Sequence, residues 1–254
     1  MIVPTLPRHT DILEIIRRVG RVNVDDLAEQ FNVSPQTIRK DLNDLKDQGL
    51  VHRIHGGAVL SSGVKNFEYQ ARSQLAEDEK RAIGIKAAEL IPDNCTLLIN
   101  IGTTTEQVAA AMRGKQDMMA ITNNINVVNI LSAMPEFEVI VAGGIVRASD
   151  GGVVGEAAVD FIRQFKVDYA VIGASAIDPD GSILDYDYRE VKVAQAIIEN
   201  ARHTILVADS MKYERAAPVR IGHISQIDSF VTDKPLPEKL EQICVENDVK
   251  IHLA

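Results

Sequence analysis

From residue 76 onward, short apolar runs alternate with helix-period segments, and no other feature of the chain restricts its fold as strongly. Residues 96–100, 118–121, 139–142, 169–172, 204–208, 229–232 and 250–253 read as strands. Between them lie helical stretches at about 78–91, 105–112 and 125–134, one around Phe161 and Phe165, and others at 190–201 and about 237–246. Near-continuous apolar strands separated by crossover helices predict a mostly parallel sheet covered on both faces. Ligands of such sheets sit beyond the carboxyl ends of the strands.

A different pattern precedes this one. Residues 32–58 read NVSPQTIRKDLNDLKDQGLVHRIHGGA. Ser34 suits a helix N-cap and Pro35 the first helical position. Ile38, Leu42 and Leu45 recur at spacings of four and three, so they share one buried stripe. Gln36, Thr37, Arg39, Lys40 and Asn43 lie on the other side, where they can reach phosphates and base edges. Gly49 is expected to end this helix. Arg53 and His55 then tip a short extended, basic segment. Upstream, a helix over about 8–19 turns Ile12, Leu13, Ile15, Ile16 and Val19 inward and stops at Gly20. A second helix starts at Asp25 and Asp26, which favour its positive end, and carries Leu27, Ala28 and Phe31. Asn32-Val33 makes the turn. Three short helices and a hairpin form the winged helix-turn-helix plan. The DNA-contact candidates are Ser34, Gln36, Thr37, Arg39, Lys40, Asn43, Arg53 and His55. A lone Arg-Lys pair is ordinarily a solvated patch. The order of cap, proline, stripe, glycine stop and HRIHGG is what favours DNA. The expected division is therefore a DNA-binding domain over 1–58, a linker over 59–74, and an effector and oligomerisation domain over 75–254.

The net charge of −9 argues against nucleic acid until its distribution is examined. Residues 1–60 hold eight Lys/Arg against eight Asp/Glu and three of the six His, so the whole acidic excess lies in the remainder. A near-neutral head on an acidic body suits a DNA reader whose second domain stays off DNA. No apolar run is long enough to span a bilayer and the N-terminus lacks secretory order, so a cytoplasmic location without a membrane partner is expected. Cys95 and Cys244 stand far apart with no CxxC or Cys/His cluster. They read as reduced, buried thiols, and neither metal nor cofactor is expected.

Several strand ends carry candidate ligand groups. Gly102-Thr103-Thr104-Thr105 follows a strand and opens a helix, which is a phosphate cradle by mechanism and equally a plain turn. Thr122-Asn123-Asn124 repeats that position and also reads as a cap. Gly143-Gly144 with Arg147 is a third, or a glycine turn beside a surface arginine. Asp178-Pro179-Asp180-Gly181 is a strong turn. Beyond it Asp185, Asp187, Glu190 and Lys192 cluster about a helix start, either to bind hydroxyls and phosphate or simply to be solvated. In 208–215 (ADSMKYER), Lys212 is an anion contact or a surface lysine. Gly102, Thr103, Thr104, Thr105, Asn123, Gly144, Arg147, Asp185, Lys192 and Lys212 are the effector-site candidates.

VSPQTIRKDLNDLKDQGLVHRIHGGA resembles the DNA-binding signature of the DeoR family of bacterial repressors. IGTTT, TNN, AGGIVR, GSILDYDYREVK and VADSMKYER extend that resemblance over residues 8–254. It implies a second domain similar to ribose-5-phosphate isomerase that binds a phosphorylated metabolite and thereby weakens DNA binding. The family usually has two arginines where Arg39-Lys40 stands, and lysine lacks the bidentate fork. An acid is common where this chain has Asn100. INIGTTTEQVA, RASDGGVVGEAAVDFIRQF, IDPDGSILDYDYREV and IIENARH are similar to the branch for which glycerol 3-phosphate is the implied inducer. Genes of glycerol uptake and oxidation are then the implied targets, and a homotetramer the implied assembly. The isomerases themselves place acids before an IDPDG-like turn and a lysine after it. This chain has Ile172-Gly173-Ala174-Ser175 and Asp185 there. With no base at the first place and a carboxylate repelling an enediolate at the second, binding without turnover is expected.

Overall fold

The computed structural model describes residues 7–19, 21–48, 50–54, 56–60, 69–74 and 76–254. Gly20, Gly49 and His55, each given a role above, lie outside the described residues, as do 61–68 of the expected linker. The chain divides into two compact units, Met1–Ala71 and Arg72–Ala254.

In the first unit α1 (Pro7–Val19), β1 (Arg21–Asn23), α2 (Val24–Gln30) and α3 (Pro35–Asp47) precede a hairpin of β2 (Val51–Ile54) and β3 (Gly57–Leu60). The strands form an antiparallel sheet in the order β1-β3-β2. Local chemistry sets the helix starts. The Ser34 hydroxyl accepts from the Thr37 amide at 3.1 Å, with Pro35 in the first turn. Asn23 caps α2 by accepting from the Asp25 amide at 3.0 Å. Asn32 turns the chain between α2 and α3 in a left-handed conformation, φ 51°. Ile12 and Ile16 of α1, Leu27 of α2 and Ile38, Leu42 and Leu45 of α3 close one core with Val51 and Ala58. Each such large side chain contributes about 2 kcal/mol of transfer energy. Val59 and Leu60 are strand residues rather than linker: Val59 pairs with Arg21 and His52, and Leu60 with Val51. The pairing of β3 on both sides gives these apolar residues a sheet to join.

α4 (Tyr69–Gln74) runs across the boundary between the units, and the second unit continues with α5 (Glu77–Glu89). Then come β4 (Thr96–Ile99), α6 (Thr103–Ala111), β5 (Met118–Thr122), α7 (Ile125–Leu131) and β6 (Phe137–Val141). A hairpin, β7 (Ile145–Val146) and β8 (Val153–Val154), leads into α8 (Glu156–Ile162) and β9 (Val167–Ile172). β10 (Ala176–Ile177), β11 (Ser182–Asp185), α9 (Tyr188–Glu199), β12 (Ala201–Val207) and β13 (Val219–His223) follow. The chain closes with β14 (Ser229–Thr232), α10 (Glu238–Glu246) and β15 (Lys250–Leu253).

Seven strands form one sheet in the order β15-β14-β12-β9-β4-β5-β6, and every pairing in it is parallel. Its two faces feed two cores. Leu97 and Ile99 of β4 pack with α5, α6 and α7, whereas Leu98 joins residues of α8, α9 and α10 on the other side. This is the two-residue alternation of a strand buried on both faces. The small sheet β10-β11-β13 and the β7–β8 hairpin have no counterpart in the sequence reading. Strands of two residues show no period, and β13 pairs with β11 only after α9 and β12 have intervened in the chain. The sheet order also fixes a crevice. The chain leaves β4 toward β5 and β6, then resumes on the opposite side of β4 with β9. Between β4 and β9 the order reverses, the position where open α/β sheets bind ligands.

Candidate functional site

Two surfaces carry candidate chemistry, one in each unit. In the first, Gln36, Arg39, Lys40 and Asn43 are exposed on α3, opposite the buried stripe. Ser34 and Thr37 are held in the cap, their hydroxyl oxygens 2.8 Å apart, so their first task is to start the helix. Arg53 is half-buried on β2. The sequence reading missed Asp41. It sits on the inner side of α3, 2 % exposed, and accepts from Arg8 Nε at 2.6 Å and Arg8 Nη2 at 3.2 Å. His9 Nε2 stands 3.3 Å from the same carboxylate. The hydrogen bond to Asp41 raises the Arg8 pKa. This cluster ties α1 to the reading helix, and its signal was an acid on the hydrophobic side of an amphipathic pattern.

In the second unit Gly102 follows β4 by three residues and caps α6 at φ 152°, a conformation open to glycine. The amides of Thr103, Thr104 and Thr105 are then the first of the helix, which by geometry lack intrahelical acceptors. Thr103 and Thr104 are nearly buried. Thr105 spends its hydroxyl within the turn, donating toward Asn100 O (2.7 Å) and Gly102 O (2.8 Å), so it shapes the cradle instead of lining it. Asn123 ends β5 fully buried, and its Nδ2 donates to Val153 O at 3.2 Å. The Oδ1 atoms of Asn123 and of Asn100, at adjacent strand ends, are buried acceptors without a hydrogen-bond partner among the described residues.

A group of cations lies about Asp209, just after β12. Lys212 follows β12 in a 3-10 turn capped by Asp209, and its Nζ is 4.0 Å from Asp209 Oδ2. Burial pushes the Lys212 ammonium down to about 7 against the pull of Asp209, and Arg215, Lys80 and Arg72 repel it further. Lys80 of α5 is 3 % exposed and lies within reach of the same groups, with burial bringing it down to about 8. The sequence reading overlooked Lys80, since a lysine in a solvated-looking helix start gives no hint of burial. Two ammonium groups thus share the neighbourhood of Asp209, with Glu106 a second acid acting on Lys80.

The other candidates are placed elsewhere. Gly144 forms the base of the β7–β8 hairpin at φ 153°, where a Cβ would come within 3.0 Å of Val153 Cγ1 and Val154 O. It serves close packing. Arg147 is occupied by acids: Asp150 (2.6 Å), Glu190 (2.6 Å) and Asp187 (3.1 Å). Burial pushes Glu190 up to about 8, helped by Asp185 and opposed by Arg147. Asp185 accepts from Ser175 Oγ at 2.9 Å. Lys192 points outward from α9 and pairs with Glu156 at 2.8 Å, both side chains more than half exposed. The helical period turns position 192 away from the buried side of α9, which Val191, Val193 and Ala194 occupy. Among the described residues no helix is long and apolar enough to cross a membrane.

Residues 8–63 match the family model for a DeoR-like helix-turn-helix domain, and residues 75–234 that for a DeoR C terminal sensor domain. The chain is 45% identical over 246 residues to the glycerol-3-phosphate regulon repressor of Escherichia coli (strain K12), covering 97% of this chain and 98% of that protein. It is 43% identical to the repressor of the same name in Haemophilus influenzae (strain ATCC 51907 / DSM 11121 / KW20 / Rd), covering 97% and 96%. A solved ribose 5 phosphate isomerase A from Neisseria gonorrhoeae superposes with a TM-score of 0.38 at 17% identity, over 56% of this chain and 54% of that one. The chain belongs to the DeoR family of transcriptional repressors, built from a helix-turn-helix head and a C-terminal sensor domain, and is a regulator rather than an enzyme.

Proposed function

We propose that this protein represses glycerol and glycerol-3-phosphate catabolic genes in the cytoplasm, and that glycerol 3-phosphate releases it from operator DNA. The head reads operator half-sites with Gln36, Arg39, Lys40 and Asn43 of α3, helped by Arg53 of β2 and by His55, as part of a homotetramer. The effector phosphate sits on the amides of Thr103, Thr104 and Thr105, with Lys212 and Lys80 supplying charge and Asn123 a hydrogen bond to a hydroxyl. The supporting observations are the glycine-capped start of α6 at Gly102–Thr105 and the two ammonium groups near Asp209 after β12, Lys80 buried and Lys212 with its side chain 12 % exposed. Relatives named for the glycerol-3-phosphate regulon supply the choice of ester. Binding favours a conformation that fits DNA less well, and the difference in affinity between the two conformations sets the extent of induction.

An operator gel shift titrated in parallel with glycerol 3-phosphate, fructose 6-phosphate and ribose 5-phosphate tests this reading. Release by glycerol 3-phosphate at the lowest concentration is expected. Release by another ester first would assign the sensor to that ester.

Arg39→Ala is expected to weaken operator binding and to lower the slope of log K against log salt by about one phosphate contact. An unchanged slope would remove Arg39 from the backbone contacts. Thr104→Val, which exchanges a hydroxyl for a methyl in the cradle, is expected to spare operator binding and to raise the glycerol 3-phosphate needed for release about tenfold. That corresponds to one hydrogen bond to a charged group. Release at the wild-type concentration would rule out the Thr104 hydroxyl as a phosphate donor.

A further inference from the structure

Arg72 is the first residue of the sensor unit and lies within α4, so the chain enters this unit through it. Two charged groups hold it. Its guanidinium donates to Asp150 Oδ2 at 2.9 Å. Its main-chain carbonyl accepts from the Lys80 ammonium. Lys80 belongs to the group of cations around Asp209, and Arg72 itself lies within electrostatic range of Lys80 and Lys212.

We propose that these two contacts are the link between effector occupancy and the segment leading to the DNA-binding head, with Arg72 as the positioning residue that α4 releases when an anion binds. The inference rests on the phosphate-ester reading above. A phosphate dianion next to Lys80 and Lys212 draws the Lys80 ammonium from the Arg72 carbonyl. It also competes with Asp150 for the Arg72 guanidinium. Departure of Arg72 strands no buried charge, because Asp150 is already served by Arg147 through two hydrogen bonds, Nε to Oδ1 at 2.8 Å and Nη2 to Oδ2 at 2.6 Å. An uncompensated buried carboxylate would make such a release prohibitive. With Arg147 in place the two arrangements differ by little, which is the condition for a ligand to choose between them.

Hydrogen exchange on the full-length chain, with and without saturating glycerol 3-phosphate, tests the link, with calorimetry on the same samples reporting binding. Amides of residues 70–74 are expected to exchange at least tenfold faster with the ester bound. Asp150→Asn removes the side-chain anchor and leaves Lys80, Lys212 and the Gly102–Thr105 turn intact. In this variant α4 is expected to exchange quickly in both states, the ester still to bind, and its effect on operator affinity to fall below about threefold. Arg72→Lys, which keeps the charge and loses the fork, is expected to lie between the two. Binding heat in the wild type without faster exchange at 70–74 overturns the link alone. So does an undiminished effect of the ester on operator affinity in Asp150→Asn. No binding heat in the wild type overturns the effector assignment, and the link with it.

Discussion

Lys212→Met is expected to lower the affinity for glycerol 3-phosphate by about 10- to 150-fold, the range for a hydrogen bond to a charged group, and to leave effector-free operator binding within about threefold. The reason lies in the surroundings of the ammonium. Its side chain is only 12 % exposed, the carboxylate of Asp209 is 4.0 Å away, and other cations flank it. Its pKa near 7 lies well below the ordinary lysine value of about 10.4. A bound phosphate ester reverses that balance and raises the pKa. Binding therefore takes up a proton above pH 7, and affinity falls as pH climbs from about 7 to about 9. The same shift affects stability with the opposite sign. Without effector, the unfolded chain holds more protons than the folded one between the folded pKa of about 7 and the unfolded value of about 10.4. Stability from this group accordingly rises with pH across that window and is lost as pH falls toward 7. Lys80, near 8, adds to the trend over the upper part of the window. Calorimetry at several pH values, in buffers of different ionisation enthalpy, measures the proton uptake. A glycerol 3-phosphate affinity that stays flat from pH 7 to 9, in wild type and variant alike, would refute the role of Lys212.

The second large effect is expected in the head. Asp41→Ala should destabilise it by about 2–3 kcal/mol and abolish operator binding at 37 °C. The substitution leaves the buried His9 and the base of Arg8 facing an apolar interior. Breaking a buried pair costs about 3–5 kcal/mol. The figure here is smaller because the Arg8 side chain is 28 % exposed and can turn to water. A unit of this size has only a few kcal/mol to lose. Its unfolding midpoint should drop by about 10 °C or more, while the sensor transition stays in place. Calorimetric scans resolve the two transitions. A head midpoint within 2 °C of wild type would show that Asp41 contributes little to joining α1 and α3. Arg39→Ala is the matching control, because Arg39 is exposed: it should weaken DNA binding with no shift in midpoint.

The elements most legible in the sequence were those whose reasons are local. The Ser34 cap, Pro35 and the Ile38–Leu42–Leu45 stripe appear in the structure as read, because a cap and a helical stripe involve residues three or four apart. The seven strands of the main sheet were visible for a similar reason, as apolar runs too short for helices. The turn at Gly102–Thr105 was legible as a strand-to-helix junction. The sequence was silent where a side chain's partner is distant. Lys192 and Lys212 look alike as lysines near polar segments, yet Lys192 pairs with Glu156 on the surface while Lys212 is buried beside Asp209. Arg147 reads as an available cation until Asp187 and Glu190, about forty residues on, are brought against it.

The sequence alone determined the division of labour: a compact reading head of three helices and a wing, then a parallel sheet with polar strand ends. Periodicity, capping and turn chemistry act within a few residues, and that range suffices for such assignments. Only the tertiary structure decided which charges are brought together in the interior and which pair at the surface. Lys80 and Lys212 come from opposite ends of the sensor unit, and Arg72 and Asp150 are 78 residues apart. Burial and Coulomb energy depend on distance in space and on the surrounding dielectric, neither of which is written in the spacing along the chain.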